Sequence, residues 1–241
     1  ESDTAPDTGT GSGDADTDAD ADGDADWEPP YGDYSGKDAF LAWYGADGSF
    51  TRVRHPDGDA DGSTGWTVAA HASGEITLGG RFRQSMEVDA LSEDPELLEA
   101  DENGEDLFLA RYDSAGQVVW ARRDGDGAVG LWALAPAPEG GVAAAGWRSG
   151  GVTFGVGDPN EACLPGDETS QEGFAALYDS TGALVWVRGL AGDARIAVGD
   201  AAVDPADGAV YVSGLLEGEL SVAEGISRDG KVGGSPSGVP Q

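Results

Sequence analysis

The stretch "DLFLARYDSAGQVVWARR", Asp106 to Arg123, decides the reading of this chain, because it recurs in closely related wording. It stands as "DAFLAWYGADGSFTRVR" from Asp38 and as "EGFAALYDSTGALVWVR" from Glu172. Phe40, Phe108 and Phe174 align, as do Tyr44, Tyr112 and Tyr178, then Gly48, Gly116 and Gly182, then Arg54, Arg122 and Arg188, in steps of 68 and 66 residues. A second segment repeats in phase. "ASGEITLGGRF", "PEGGVAAAGWR" and "ADGAVYVSGLL" align on Gly80, Gly146 and Gly214, in steps of 66 and 68. Two independent segments with matching periods mark one structural unit used repeatedly.

Each unit reads as short strands joined by turns. "FLARY" and "VVWAR" are strand-length runs split by "DSAG", where Asp and Gly supply turn conformations that β-branched residues resist. "LWALAPAP" and "GVAAAGW" follow, split by "EG". The only helical suggestion is a short turn at "DPELLEA", Asp94 to Ala100. The chain is therefore predicted to be all-β. In the shared "D-x-x-G-x-x-x-W" stretch, Trp120 and Trp186 stand four residues past Gly116 and Gly182. Each should land on the strand after the turn and cover a neighbouring sheet with a flat apolar face. The first copy departs, with Asp47 shifted and Arg52 in the tryptophan's place, so it is expected to be an edge unit.

The wording "D-A-F-L-A-x-Y-x-x-x-G", "W-A-R" and "A-x-x-x-G-x-x-x-x-G" resembles the SBBP-type β-propeller repeats of bacterial exported proteins. More loosely, it is similar to the tryptophan-docked repeats of the PQQ-like propeller superfamily. The resemblance spans roughly residues 37 to 222. It implies a β-propeller-like array of four-stranded antiparallel blades, about three of them here, against the roughly 4–8 of closed propellers. The array is accordingly expected to be partial or truncated. Its blades would run from about Ser49 to Tyr112, Gln117 to Tyr178 and Ala183 to Val222, with "DAFLAWY" as a last strand displaced to the N-terminus. Such an open arc carries exposed strand edges, which invite pairing. The resemblance also implies an exported or surface-displayed bacterial protein with a non-enzymatic binding or structural role. Its ligand would be an unidentified protein or polysaccharide. Lipoproteins of this kind begin with a lipidated Cys and a Ser/Thr/Gly/Asp linker, so a lipid anchor upstream of Glu1 is the expected membrane attachment.

Charge narrows the partners. The chain carries 46 Asp+Glu against 13 Lys+Arg, a formal net charge of −33. Twelve of the acids lie in residues 1 to 33, which hold no Lys or Arg. Such a field repels nucleic acid and anionic lipid, and favours cations and cationic peptides. "ESDTAPDTGTGSGDADTDADADGDAD" has no large apolar residue before Trp27, so residues 1–33 are expected to be a disordered acidic linker. Residues 37–225 form the repeat domain, and "SRDGKVGGSPSGVPQ" places a flexible tail at 226–241. No run approaches the ~18 apolar residues of a membrane-spanning helix.

Two stretches bear on metal binding. Asp18, Asp20, Asp22 and Gly23 match the start of an EF-hand loop, but Pro29 stands at the twelfth position, where a bidentate Glu is required. In "HPDGDADGSTGW", Asp57, Asp59 and Asp61 alternate before Gly62, a spacing that can wrap oxygen ligands around calcium. Calcium is the one cofactor the sequence suggests, and a calcium-dependent adhesion module is one alternative function. A lyase or hydrolase acting at a propeller's central channel is another. Against catalysis, His55 and His71 do not form an H-E-x-x-H site, no G-x-S-x-G elbow occurs, and Lys37 and Lys231 are the only lysines. Cys163, the only cysteine, lies among acids that disfavour its thiolate.

Overall fold

A computed structural model describes residues 38–58, 62–88, 96–100, 105–192, 195–217, 220–224 and 226–227. The acidic linker therefore lies outside the described residues, as does the tail beyond Ser227. Among the described residues there is no α-helix, only one 3₁₀ turn at Pro138–Gly140. Strands β1 (Leu41–Tyr44) and β2 (Phe50–Arg54) form a hairpin, followed by the two-residue β3 (Asp57–Gly58). Then come β4 (Ser63–Ala70), β5 (Ile76–Phe82), β6 (Ser85–Val88), β7 (Glu96–Glu99), β8 (Asp106–Tyr112) and β9 (Val118–Asp124). The second half comprises β10 (Asp126–Pro136), β11 (Val142–Phe154), β12 (Ala162–Leu164), β13 (Glu172–Tyr178) and β14 (Leu184–Gly192). The last strands are β15 (Ile196–Val203), β16 (Val210–Leu216), β17 (Leu220–Glu224) and β18 (Ile226–Ser227).

The main sheets are antiparallel, and none closes on itself. One has the order β4-β5-β8-β9, and β3-β6-β7 forms a small satellite. The second runs β17-β14-β13-β11-β12-β18, with β10 also paired to β11. Its β10, β11, β13 and β14 thus repeat the pairing of β4, β5, β8 and β9. The hairpins β1-β2 and β15-β16 stand as separate two-stranded sheets.

Registers show which parts are equivalent. Gly80 pairs with Phe108 and Gly146 with Phe174. The hairpins β1-β2, β8-β9 and β13-β14 each slip register just before Tyr44, Tyr112 and Tyr178. Their turns close alike: Gly48, Gly116 and Gly182 have φ of 81°, 77° and 86°, and their N–H groups donate to the carbonyls of Gly45, Asp113 and Asp179. The hairpins β4-β5, β10-β11 and β15-β16 share a different irregularity, a bulge on the first strand opposite Gly80, Gly146 and Gly214. A Cβ at any of these three glycines would overlap a carbonyl oxygen, that of Thr64, Gly130 or Ala197. The bulge needs a residue without a side chain opposite it.

The described residues thus form two four-stranded modules flanked by two two-stranded hairpins that match halves of them. The first, β1-β2, corresponds to β8-β9 and β13-β14, and the last, β15-β16, to β4-β5 and β10-β11. This corrects the expected boundaries at Ser49–Tyr112 and Gln117–Tyr178. A tight Asp–Gly turn forces its flanking strands into adjacent positions of one sheet, so the outermost strand stays with the module before it. "DAFLAWY" is accordingly not a lone displaced strand, since it pairs with β2. The expected helical turn at Asp94–Ala100 is also corrected: Glu96–Glu99 is a strand, paired with β6 from Ser85 to Val88. Pairing overrides the helix preference of its Glu and Leu residues.

Burial follows the seams between modules. Ala39 and Leu41 pack with Leu78, Phe108 and Tyr112 in one cluster. Leu107 and Leu109, on the opposite face of β8, pack with Val129, Leu131, Phe174 and Tyr178. Val198 of β15 packs on Ala133 and Ala145. Each fully buried aromatic contributes about 2–3 kcal/mol through removal from water.

Candidate functional site

The sequence places a turn between the inner strands of every module, and those turns gather around two grooves. Ala137–Gly141 separates them. One groove, of about 450 Å³, lies between this turn, Asp179 and Ser180, and Ala206–Gly208. The other, of about 540 Å³, is bounded by Ala70–Ser73, Pro136–Gly140 and Pro205. Glu139 lines both. Its φ of 57° puts it in the left-handed region, which costs a non-glycine residue roughly 1–2 kcal/mol. Pro138 before it fixes the entry to the turn, and Gly140 after it has φ of 80°.

The first groove is lined by the carboxylates of Glu139, Asp179 and Asp207, and among the described residues no Lys or Arg lines it. Asp179 accepts hydrogen bonds from the N–H groups of Thr181 and Ala183, at 2.8 and 3.0 Å, and from the Thr181 hydroxyl at 2.7 Å. Partial burial raises its pKa, but these donors outweigh that, and the carboxyl is held below its usual range. Asp179 is therefore an anion at neutral pH. Asp207 accepts from the N–H of Ala209 at 2.9 Å.

Beneath the second groove lies a buried polar cluster. Arg111 donates from Nε to the Thr77 hydroxyl at 2.8 Å and from a terminal nitrogen to the Gly140 carbonyl at 2.9 Å. Glu75 stands 3.2 Å from the same nitrogen, and the guanidinium lies 5.3 Å from the centre of the Trp120 ring. His71 Nε2 is 2.8 Å from the Thr77 hydroxyl. Burial, reinforced by Arg111, lowers the His71 pKa to about 4. His71 is therefore neutral at physiological pH, and the Thr77 hydroxyl is already engaged by two partners. This cluster bolts β5 and β8 to the β10–β11 turn.

A second cluster fastens β9 to the following module. Arg122 reaches Asp158 at 2.9 Å and Asp124 at 3.3 Å, and donates to the Gly182 carbonyl. Asp124 also accepts from the N–H groups of Gly125 and Gly155, at 2.8 and 2.7 Å. Burial pushes the Asp124 carboxyl up, and Arg122 and these donors only partly reverse it. Tyr178 is also raised, first by burial and then by Asp124. Trp120 covers Gly182 and donates from Nε1 to the Ser180 carbonyl at 3.0 Å, the neighbour-covering role its spacing predicts. Arg52, in the tryptophan's place in the first copy, lies over Gly116, and Arg54 donates to the Gly116 carbonyl at 3.0 Å.

Of the candidate calcium ligands, Asp59 and Asp61 lie outside the described residues, together with Asp18, Asp20 and Asp22. Asp57 begins β3, opposite Glu87 of β6. Among the described residues, no three His, Cys, Asp or Glu side chains gather as a metal site. Cys163 is exposed on β12, opposite Thr153. Sequence reasoning missed Glu139 and the His71–Thr77–Arg111 cluster. A signal for the latter was present: Arg111 interrupts the apolar run "FLARY" where the other copies have Trp43 and Leu177. No protein-family model matches the chain, and no curated protein matches it.

Proposed function

We propose that this chain is a non-enzymatic, exported or surface-displayed protein whose modules are blades of a β-propeller-like array, and that it binds ligands in the groove across its inner-strand turns. The observation that carries this reading is the groove lined by Glu139, Asp179 and Asp207, with no Lys or Arg among the described residues that line it. A net charge of −33 adds a long-range attraction for positive ligands. The ligand class that fits is a basic, extended peptide segment whose Lys or Arg heads meet the carboxylates while its backbone lies along Ala137–Gly141. The four-stranded antiparallel pairing, repeated with the same bulges, supports the propeller reading.

The test is titration with an oligolysine peptide, followed by tryptophan fluorescence or calorimetry, with oligoglutamate as control. Glu139→Gln together with Asp207→Asn should weaken oligolysine binding at least tenfold at constant salt. If affinity is unchanged in this variant, the peptide is attracted elsewhere and the groove is not the site. Turnover of ester or polysaccharide substrates by the purified chain would reverse the non-enzymatic reading.

A further inference from the structure

The two half-modules at the ends of the array are complementary, and we infer that they are mates: the β1-β2 hairpin of one copy completes the β15-β16 hairpin of a second copy. The first line of support is strand pairing. In the complete modules the strand carrying Gly80 or Gly146 pairs with the strand carrying Phe108 or Phe174. Among the described residues, β16, with Gly214, has β15 on one side and no strand on the other, while β1, from the Phe40 repeat, pairs only with β2. The common register sets Gly214 opposite Phe40, Val212 opposite Ala42 and Val210 opposite Tyr44.

The second line is independent of the first. Inside the chain, Trp120 covers Gly182 and Arg52 covers Gly116, so every module's last strand places a side chain on the next module's turn glycine. Two members of this series are unmatched. Gly48 has the same left-handed φ as its counterparts, yet the space beside it is open. Trp186 on β14, the counterpart of Trp120, has no following turn in the two-stranded β15-β16 sheet to cover. A second copy joined through β16 and β1 brings Gly48 to Trp186.

The third line is apolar surface. Phe40 and Tyr44 are each 67% exposed, whereas Phe108, Tyr112, Phe174 and Tyr178 are fully buried by the preceding module. In the joined pair, the preceding module for Phe40 and Tyr44 is the β10–β14 sheet of the other copy. Tyr211, Leu215 and Leu216 on β16 are exposed in the same way at the opposite end. A head-to-tail contact of this kind either closes or propagates. The described residues of each copy supply two complete modules and two halves, so two such sets joined at both ends make six, within the roughly 4–8 of closed propellers. The closed pair rests on the propeller reading above, whereas the pairing of the ends does not.

The experiment uses the full chain with Cys163→Ser. One preparation carries Ala42→Cys, a second Val212→Cys, and a parallel set carries Leu41→Cys and Ser213→Cys, because successive antiparallel pairs alternate between closer and wider side-chain spacing. On mixing and mild oxidation, one of the two sets should give a covalent heterodimer in high yield. Native mass spectrometry should show two chains per particle. Phe40→Ser, beside the open edge of β1, and Trp186→Ala, on β14 in the module the other copy's β1-β2 would meet, should each raise the dissociation constant at least tenfold with an unchanged circular dichroism spectrum. A single chain carrying both cysteines that cross-links only to itself, or the absence of any heterodimer with a one-chain particle, overturns the pairing. A covalent ladder of many chains upholds the pairing and overturns the propeller reading, since blades of the proper curvature close at two copies.

Discussion

Tyr112 and Tyr44 occupy the same place in the same hairpin, after the same register slip, yet the first is fully buried and the second is 67% exposed. Local sequence builds the hairpin in both cases. Burial comes from the module that precedes it: Ala39 and, on β1, Leu41 pack against Phe108 and Tyr112, and among the described residues no strand does the same for Tyr44. The stability of this fold therefore resides in its seams as much as in its sheets, as in repeat arrays where neighbour interfaces dominate.

The comparison breaks most easily at the aromatic pair. Phe108→Ala should destabilise folding by about 4 kcal/mol, as for a fully buried aromatic, and Phe40→Ala should leave the folding of a single chain within about 0.5 kcal/mol. Urea denaturation of both variants checks this, and equal losses would mean that burial does not follow the seam. Next in size is the pair of cross-seam arginines. Arg122→Met strands the buried Asp124 carboxylate and should cost about 3 kcal/mol. Arg54→Met removes only a donor to the Gly116 carbonyl and should cost about 1 kcal/mol.

The glycines opposite the bulges sharpen the contrast. Gly146→Ala should cost about 2 kcal/mol by overpacking against the Gly130 carbonyl. Gly214→Ala meets the same overlap with the Ala197 carbonyl, but its effect should stay within β15-β16 and appear in hydrogen exchange of that hairpin rather than in global melting. The last contrast concerns pH. The folded-state pKa of His71 is lowered to about 4 from 6.5. The unfolded chain therefore binds the proton first as pH falls. The His71 contribution is complete above about pH 6.5 and is lost as pH falls toward 4. A His71→Gln variant should show a flatter melting-temperature profile across that window, and an unchanged slope would remove His71 from the account.

Much of the architecture was legible in the residues. The double repeat, with matching periods, located every principal hairpin, and the Gly116–Trp120 and Gly182–Trp186 spacings placed the tryptophans on the strand after each turn. Module boundaries were not legible, because a repeat has no marked beginning and only the pairing of β9 with β8 shows where one ends. The "ELLE" strand was misread because its residues favour helix in isolation and only β6 holds them extended. The groove was hidden for a different reason. It is assembled from turns about 66 residues apart, and the left-handed Glu139 is followed by two glycines that draw attention away from it.

The kink opposite Gly80, Gly146 and Gly214 is held by main chain against main chain, so it is indifferent to which side chains surround it. Units as different in lettering as "ITLGGRF", "VAAAGWR" and "VYVSGLL" can therefore carry the same bulge.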